Sequence, residues 1–119
     1  LNDPLEAFTE LYRVLKPEGT LIVSVPYKEV IAYQVCIHCN QPTPTNAHLH
    51  SFDEQKLVGL VKSSGLTPII TSKCLNKAAN RLHFNLFAKS LNFKFWKVFD
   101  KLFNSILDKA SSIIVVAQK

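Results

Sequence analysis

The clearest periodic pattern of apolar positions lies near the start of the chain, where they recur every three or four residues. Its members are Leu5, Phe8, Leu11, Tyr12 and Leu15. This spacing predicts an amphipathic helix with one buried face. Asp3 offers an N-cap carboxylate and Pro4 suits the first helical position. Pro17 has no backbone N–H, so we expect the helix to end before it.

A short apolar run follows the turn formed by Pro17, Glu18 and Gly19. Residues Leu21 to Val25 are apolar except for Ser24, and several are β-branched, which predicts a parallel strand buried on both faces. A helix, a turn and such a strand form half of an alternating α/β unit. Because ligands collect beyond the carboxyl ends of parallel strands, Pro26 and Tyr27 are candidate ligand-binding residues.

The second half of the chain contains another helix pattern and two further strand patterns. Ser51 and Glu54 are spaced as a capping box, apolar residues follow at helical spacing, and Gly65 suits the left-handed residue that ends a helix. Thr67 to Leu75 and Ser112 to Ala117 are predicted strands. Since a long excursion separates them, we expect an antiparallel pair at a sheet edge. The fold class is therefore α/β, with residues 1–119 in one domain.

The excursion, residues 76–110, is a basic aromatic insertion. Residues 80–109 carry six basic and two acidic side chains, which is +4 of the net charge of +5 of the whole chain. Three interpretations stay open: a helical hairpin packed on its own domain or on a second subunit, a segment on an anionic membrane or over a lipid-like ligand, and a nucleic-acid site. The last is disfavoured because the lysines share their helix with a dense apolar face.

Composition limits the remaining classes of protein. No apolar run approaches the ~20 residues that cross a bilayer. Three cysteines are an odd number, which suits a reducing compartment, so a cytoplasmic location is the default expectation. The chain has no methionine and opens on an approach to a helix, so we expect it to be a fragment of a longer protein.

Three separate segments resemble class I S-adenosylmethionine-dependent methyltransferases. The stretch LNDPLEAFTELYRVLKPEGTLIVSVP resembles the helix, turn and fifth strand of that family, HLHSFDEQKLVGLVKSSGLTPI resembles its approach to the sixth strand, and IIVVAQK resembles its seventh strand. Glu18 stands where the family usually has a glycine, and we expect an ordinary type I turn there.

The resemblance implies the C-terminal half of a Rossmann-like sheet, with strand seven antiparallel between strands five and six and a helical insertion before it. The glycine-rich loop and the acidic residue that hold S-adenosylmethionine in the family are not in this sequence. The resemblance thus implies a methyltransferase segment that is inactive alone and has no cofactor-binding residues of its own. A small-molecule or lipid-like acceptor would contact Pro26, Tyr27, His48 and His50, and no catalytic residue is assigned.

Residues 28–51 have no sustained period and predict a long functional loop. Within it, Cys36, Cys39, His48 and His50 form C-x2-C-x8-H-x-H, a set of residue types that bind zinc. Either these four residues hold a structural zinc ion, or His48 or His50 lines the acceptor pocket without metal. The third alternative is that the loop packs on the domain and these residues have no functional role. The competing functional hypothesis is a non-catalytic methyltransferase-like module with a zinc-knuckle loop and a helix that binds a membrane or a partner, including a second copy of the chain.

Overall fold

A computed structural model describes residues 3–77, 81 and 92–119. Its helices and strands are α1 (Pro4–Val14), β1 (Thr20–Pro26), β2 (Tyr33–Val35), β3 (Pro42–Pro44), α2 (Glu54–Ser63), β4 (Thr67–Asn76), α3 (Phe93–Ile106) and β5 (Ala110–Gln118). The predicted helices and strands on both sides of the insertion are therefore confirmed. Much of the first half of the insertion, including His83, lies outside the described residues.

The starts of α1 and α2 are capped by aspartates. Asp3 accepts a hydrogen bond from the backbone N–H of Leu5 at 2.8 Å, as predicted for α1. For α2 the cap is Asp53, which accepts from the N–H of Lys56 at 2.8 Å, so the predicted capping box of Ser51 and Glu54 is wrong. The helix begins at Glu54, and only the residue just before it can reach the free N–H groups of the first turn.

β5 is the central strand of a three-stranded sheet. The strand order is β1-β5-β4, and β5 is antiparallel to both neighbours, with Val23 opposite Val115 and Thr71 opposite Val115. The last strand therefore lies between the two earlier ones, as expected. Within the described residues β1 pairs only with β5, so the parallel pairing that its apolar sequence predicted is not found in this chain.

The core lies between this sheet and one layer of helices. Phe8 of α1 packs with Leu57 and Val61 of α2 against Ile113 and Val115 of β5. The opposite face is open, because the described residues place no helix over its centre. There Ile22 and Ile70 flank Val116 in register and are 68% and 56% exposed. The prediction that β1 is buried on both faces is thus wrong for this chain.

The turn between α1 and β1 is strained at Glu18. The N–H of Gly19 donates to the carbonyl of Lys16 at 2.9 Å, Pro17 takes the second position, and Glu18 has a φ of 59°. A positive φ at the third position defines a type II turn, so the predicted type I turn is wrong. Glu18 keeps the left-handed conformation that a glycine would adopt without steric cost.

The predicted loop of residues 28–51 contains a β-hairpin. β2 and β3 pair with Val35 opposite Pro42, and the N–H of Cys36 donates to the carbonyl of Gln41 at 2.9 Å. Asn40 completes the connection with a φ of 53°. Strands of three residues are too short to show a period of two, which explains why the sequence pattern did not reveal them.

α3 contacts the edge of the sheet through polar side chains. The carboxylate of Asp100 accepts hydrogen bonds from the N–H groups of Leu75 and Asn76 at 3.2 and 3.3 Å. The side-chain amide of Asn76 donates to Oδ1 of Asn104 at 3.0 Å, and both side chains are buried. Within the described part of the chain, no helix combines the length and the apolar character needed to cross a membrane.

Candidate functional site

A cleft of about 300 Å³ opens at the carboxyl end of β1. Its floor is formed by Val23 and Val25 and one wall by Phe8 and Leu11 of α1. The other wall is the segment 47–52, which follows the hairpin and leads into α2. The lining is mostly apolar, and the strand end, the helix start and this segment meet there. The geometry suits a small ligand with a large apolar part.

Three of the four predicted acceptor-binding residues line this cleft. Pro26 closes the end of β1, while His48 and His50 come from the segment opposite. The ring of His50 lies 6.2 Å from that of Phe52, with the planes tilted by 56°. The structure thus brings together residues more than twenty positions apart in the sequence, although their contact with an acceptor stays a prediction.

His48 is held by a carboxylate that the sequence pattern did not single out. Its Nδ1 atom lies 2.6 Å from Oε2 of Glu29, and the side chain of Glu29 is mostly covered. An ionised carboxylate can only accept a hydrogen bond, so this contact places a proton on Nδ1 and leaves Nε2 as the basic nitrogen of the neutral ring. Glu29 was missed because no motif connects it to a histidine nineteen residues later.

Tyr27, the fourth predicted residue, lies in the core rather than along the cleft. It is only 3% exposed, its backbone N–H donates to the carbonyl of Ser111 at 3.0 Å, and its hydroxyl donates to Oδ1 of Asp108 at 3.0 Å. Tyr27 therefore connects the end of β1 to the segment before β5. Its position favours a structural role, in which this tyrosine caps the end of the sheet.

Asp108 is the centre of a charged cluster at that end of the sheet. It accepts hydrogen bonds from Nζ of Lys28 at 2.6 Å and from Nζ of Lys73 at 3.0 Å, in addition to the hydroxyl of Tyr27. The bonds from Lys28, Lys73 and Tyr27 hold the pKa of Asp108 far below its usual range. In return, Tyr27 and Asp108 raise the pKa of Lys73. The cluster joins β1, β4 and the start of β5.

The four predicted zinc ligands are not brought together. Cys36 and Cys39 lie in the turn at one end of the β2–β3 ladder, whereas His48 lies beyond its other end and contacts Glu29. Among the described residues, no group of three or more His, Cys, Asp or Glu side chains is placed to hold a metal ion. The structure therefore does not support the zinc site predicted from Cys36, Cys39, His48 and His50, because the hairpin separates the thiols from the imidazoles.

The hairpin turn does change the chemistry of one thiol. The pKa of Cys36 is lowered mainly by hydrogen bonds from the backbone N–H groups of Cys39 and His38. A hydrogen bond from the Cys39 thiol has a smaller effect in the same direction. Burial has the opposite effect on Cys74, whose pKa is raised. Cys36 is therefore the thiol of the two that ionises more readily.

No protein-family model matches the sequence, and no curated protein matches it. Among solved structures, the chain is similar to the crystal structure of an S-adenosylmethionine-dependent methyltransferase from Mesorhizobium loti, with 12% sequence identity and a TM-score of 0.55. The match covers 100% of this chain and 57% of that chain. The chain thus shares the fold of part of that protein and spans little more than half of its length.

Proposed function

We propose that this chain is the C-terminal part of an S-adenosylmethionine-dependent methyltransferase domain whose cleft at the end of β1 receives a small-molecule or lipid-like methyl acceptor. The likeness in fold to the Mesorhizobium loti methyltransferase supports the domain assignment. The observation that carries the proposal is the cleft itself, in which Pro26, His48 and His50 meet at the carboxyl end of a strand. Ligands of open α/β sheets bind at such ends.

The shape and lining of the cleft support the acceptor class. About 300 Å³ is at the small end of the range for small-molecule sites, and the walls from α1 and β1 are apolar. Polar groups are supplied by the two histidines on one side only. An acceptor with an apolar body and a single polar, methylatable group fits this division.

The pair of His48 and Glu29 gives the cleft a general base. If the acceptor carries a proton on the atom to be methylated, the free Nε2 of His48 can take that proton, and the carboxylate of Glu29 stabilises the imidazolium that forms. His48 would then combine a binding role with proton transfer. If the acceptor atom is already unprotonated, the cleft would need only to hold that atom close to the methyl group.

The sequence does not contain the glycine-rich loop that the family resemblance associates with S-adenosylmethionine. Its three glycines, Gly19, Gly59 and Gly65, are isolated and do not make a glycine-rich loop after a strand. We therefore place the cofactor site in a neighbouring part of the parent protein. This chain supplies the acceptor side of the proposed reaction.

The test is methyl transfer by the complete parent protein, with tritium in the methyl group of S-adenosylmethionine and separate counting of chloroform-soluble and aqueous products. We expect label in a small-molecule fraction and a loss of about a hundredfold in kcat for His48→Ala. His38→Ala is the matched control, because His38 lies in the hairpin turn away from the cleft, and it should leave the rate unchanged.

The competing function is a non-catalytic module of the same fold. The observation in its favour is the hairpin, on which Tyr33, Val35 and Ile37 expose apolar surface suited to a partner. Calorimetric titration of the parent protein with S-adenosylmethionine separates the two functions. Absence of binding would overturn the enzyme proposal and leave the module.

A further inference from the structure

α3 presents its polar side to the sheet and its apolar side to solvent, the reverse of α1. Asp100 and Asn104 face β4 and the buried Asn76. On the outside, four large apolar residues recur at i, i+3, i+7 and i+11 and form what we call the outer stripe. They are Phe95, Val98, Leu102 and Ile106, which are 63%, 66%, 54% and 72% exposed.

Basic side chains accompany the outer stripe along the helix. Lys94, Lys97 and Lys101 recur at i, i+3 and i+7 beside it, and all three are exposed. The acid of the helix, Asp100, is turned inward to the backbone of β4. α3 is therefore apolar along its outer row and positive along the adjacent row, which lies between the outer stripe and the side that faces β4. There Lys97 and Lys101 line a cleft together with Asp100.

We propose that α3 docks this protein onto an anionic lipid surface, with the outer stripe inserted among the acyl chains and the three lysines at the headgroups. A helix of this kind lies in the plane of the interface, and apolar burial and attraction to anionic lipid both contribute to its binding. The row of lysines favours an anionic lipid surface as the binding partner, because a purely apolar partner would leave this positive charge without a counter-charge. The polar contacts of Asp100 and Asn104 explain how the helix is held while its apolar side faces outward.

The experiment is co-sedimentation of the full chain with vesicles of phosphatidylcholine alone and of phosphatidylcholine with phosphatidylglycerol. We expect binding to the anionic vesicles that weakens as salt is raised. The variant Phe95→Ser/Leu102→Ser should bind at least about tenfold more weakly. Replacing Lys94, Lys97 and Lys101 by Gln should weaken binding to anionic vesicles about a hundredfold.

The matched control is Val14→Ser/Val30→Ser, which removes two apolar side chains that are 62% and 89% exposed outside α3 and should bind like the wild type. Circular-dichroism melting checks that each variant is folded, which we expect because the altered side chains are exposed. Equal binding of the control and the stripe variant would overturn the proposal, as would absence of binding to anionic vesicles. Self-association without lipid that Phe95→Ser/Leu102→Ser abolishes would assign the stripe to a second copy instead.

Discussion

α1 and α3 are both amphipathic helices, yet they attach to the sheet by opposite sides. α1 buries Phe8 in the core and leaves its polar side in solvent, whereas α3 uses Asp100 and Asn104 for attachment and leaves the outer stripe exposed. Apolar burial holds the first helix and directional hydrogen bonds hold the second. The comparison shows that the amphipathic pattern predicts a helix but does not say which side of it is buried.

The largest expected effect is the loss of an apolar side chain from α1, compared with the same kind of change on α3. Phe8→Ala should lower the free energy of unfolding by about 3–5 kcal/mol, because it empties part of the core. Leu102→Ala should change it by less than about 0.5 kcal/mol, since its side chain is more than half exposed. Urea denaturation of both variants measures the difference, and similar losses would show that the stripe of α3 is buried after all.

The polar attachment of α3 is tested at Asn76. The change Asn76→Ala removes an amide that donates to Oδ1 of Asn104 and to the carbonyls of Phe103 and Leu107. We expect a loss of about 2 kcal/mol, because buried acceptors are left without a donor. Ser24→Ala is a control on an exposed position of β1. A loss no greater than that of the control would contradict a polar attachment.

The cluster around Asp108 should make stability depend on pH. Because the pKa of Asp108 is lower in the folded than in the unfolded chain, its contribution is present above the ordinary aspartate value of about 4 and is lost as pH falls further. The pKa of Lys73 is raised on folding, so its contribution is present below about 10.5 and is lost at higher pH.

Urea midpoints of the wild type and of Asp108→Asn measured at pH 7 and pH 2 check this expectation. The variant should be less stable at pH 7 and should approach the wild type at pH 2, because below the ordinary aspartate pKa of about 4 the unfolded wild-type chain binds a proton at Asp108 and the stabilisation decreases. A constant difference between the two proteins across this range would assign the effect to packing rather than charge.

Among the changes that should alter stability measurably, the smallest effect is expected at the turn after α1. Glu18→Gly should stabilise the chain by about 1 kcal/mol, because a left-handed residue with a Cβ carries a steric cost of about 1–2 kcal/mol that glycine avoids, partly offset by the greater flexibility of glycine when unfolded. Thermal melting measures it. Gly19→Ala should destabilise the same turn, since a Cβ there would lie 2.7 Å from the carbonyl oxygen of Lys16.

Sequence alone determined the parts of the fold that depend on local spacing and on single residues with special backbone chemistry. The helix after Asp3, the left-handed Gly65 and the strands on both sides of the insertion follow from such signals. Resemblance added the place of β5 between β1 and β4, which local patterns do not specify. Neither the local patterns nor the family resemblance predicted the three-residue strands of the hairpin.

Tertiary structure alone decided which predicted site residues meet. Pro26, His48 and His50 converge because the segment after the hairpin folds back over the end of β1, and Glu29 joins them through a contact across nineteen positions. The same hairpin keeps Cys36 and Cys39 away from the histidines. Tyr27 does not line the cleft, because it is buried in the core and its hydroxyl donates to Asp108, eighty-one residues later. Such contacts depend on chain topology. Spacing along the sequence therefore identifies candidate site residues, but it does not determine which of them are neighbours in the folded chain.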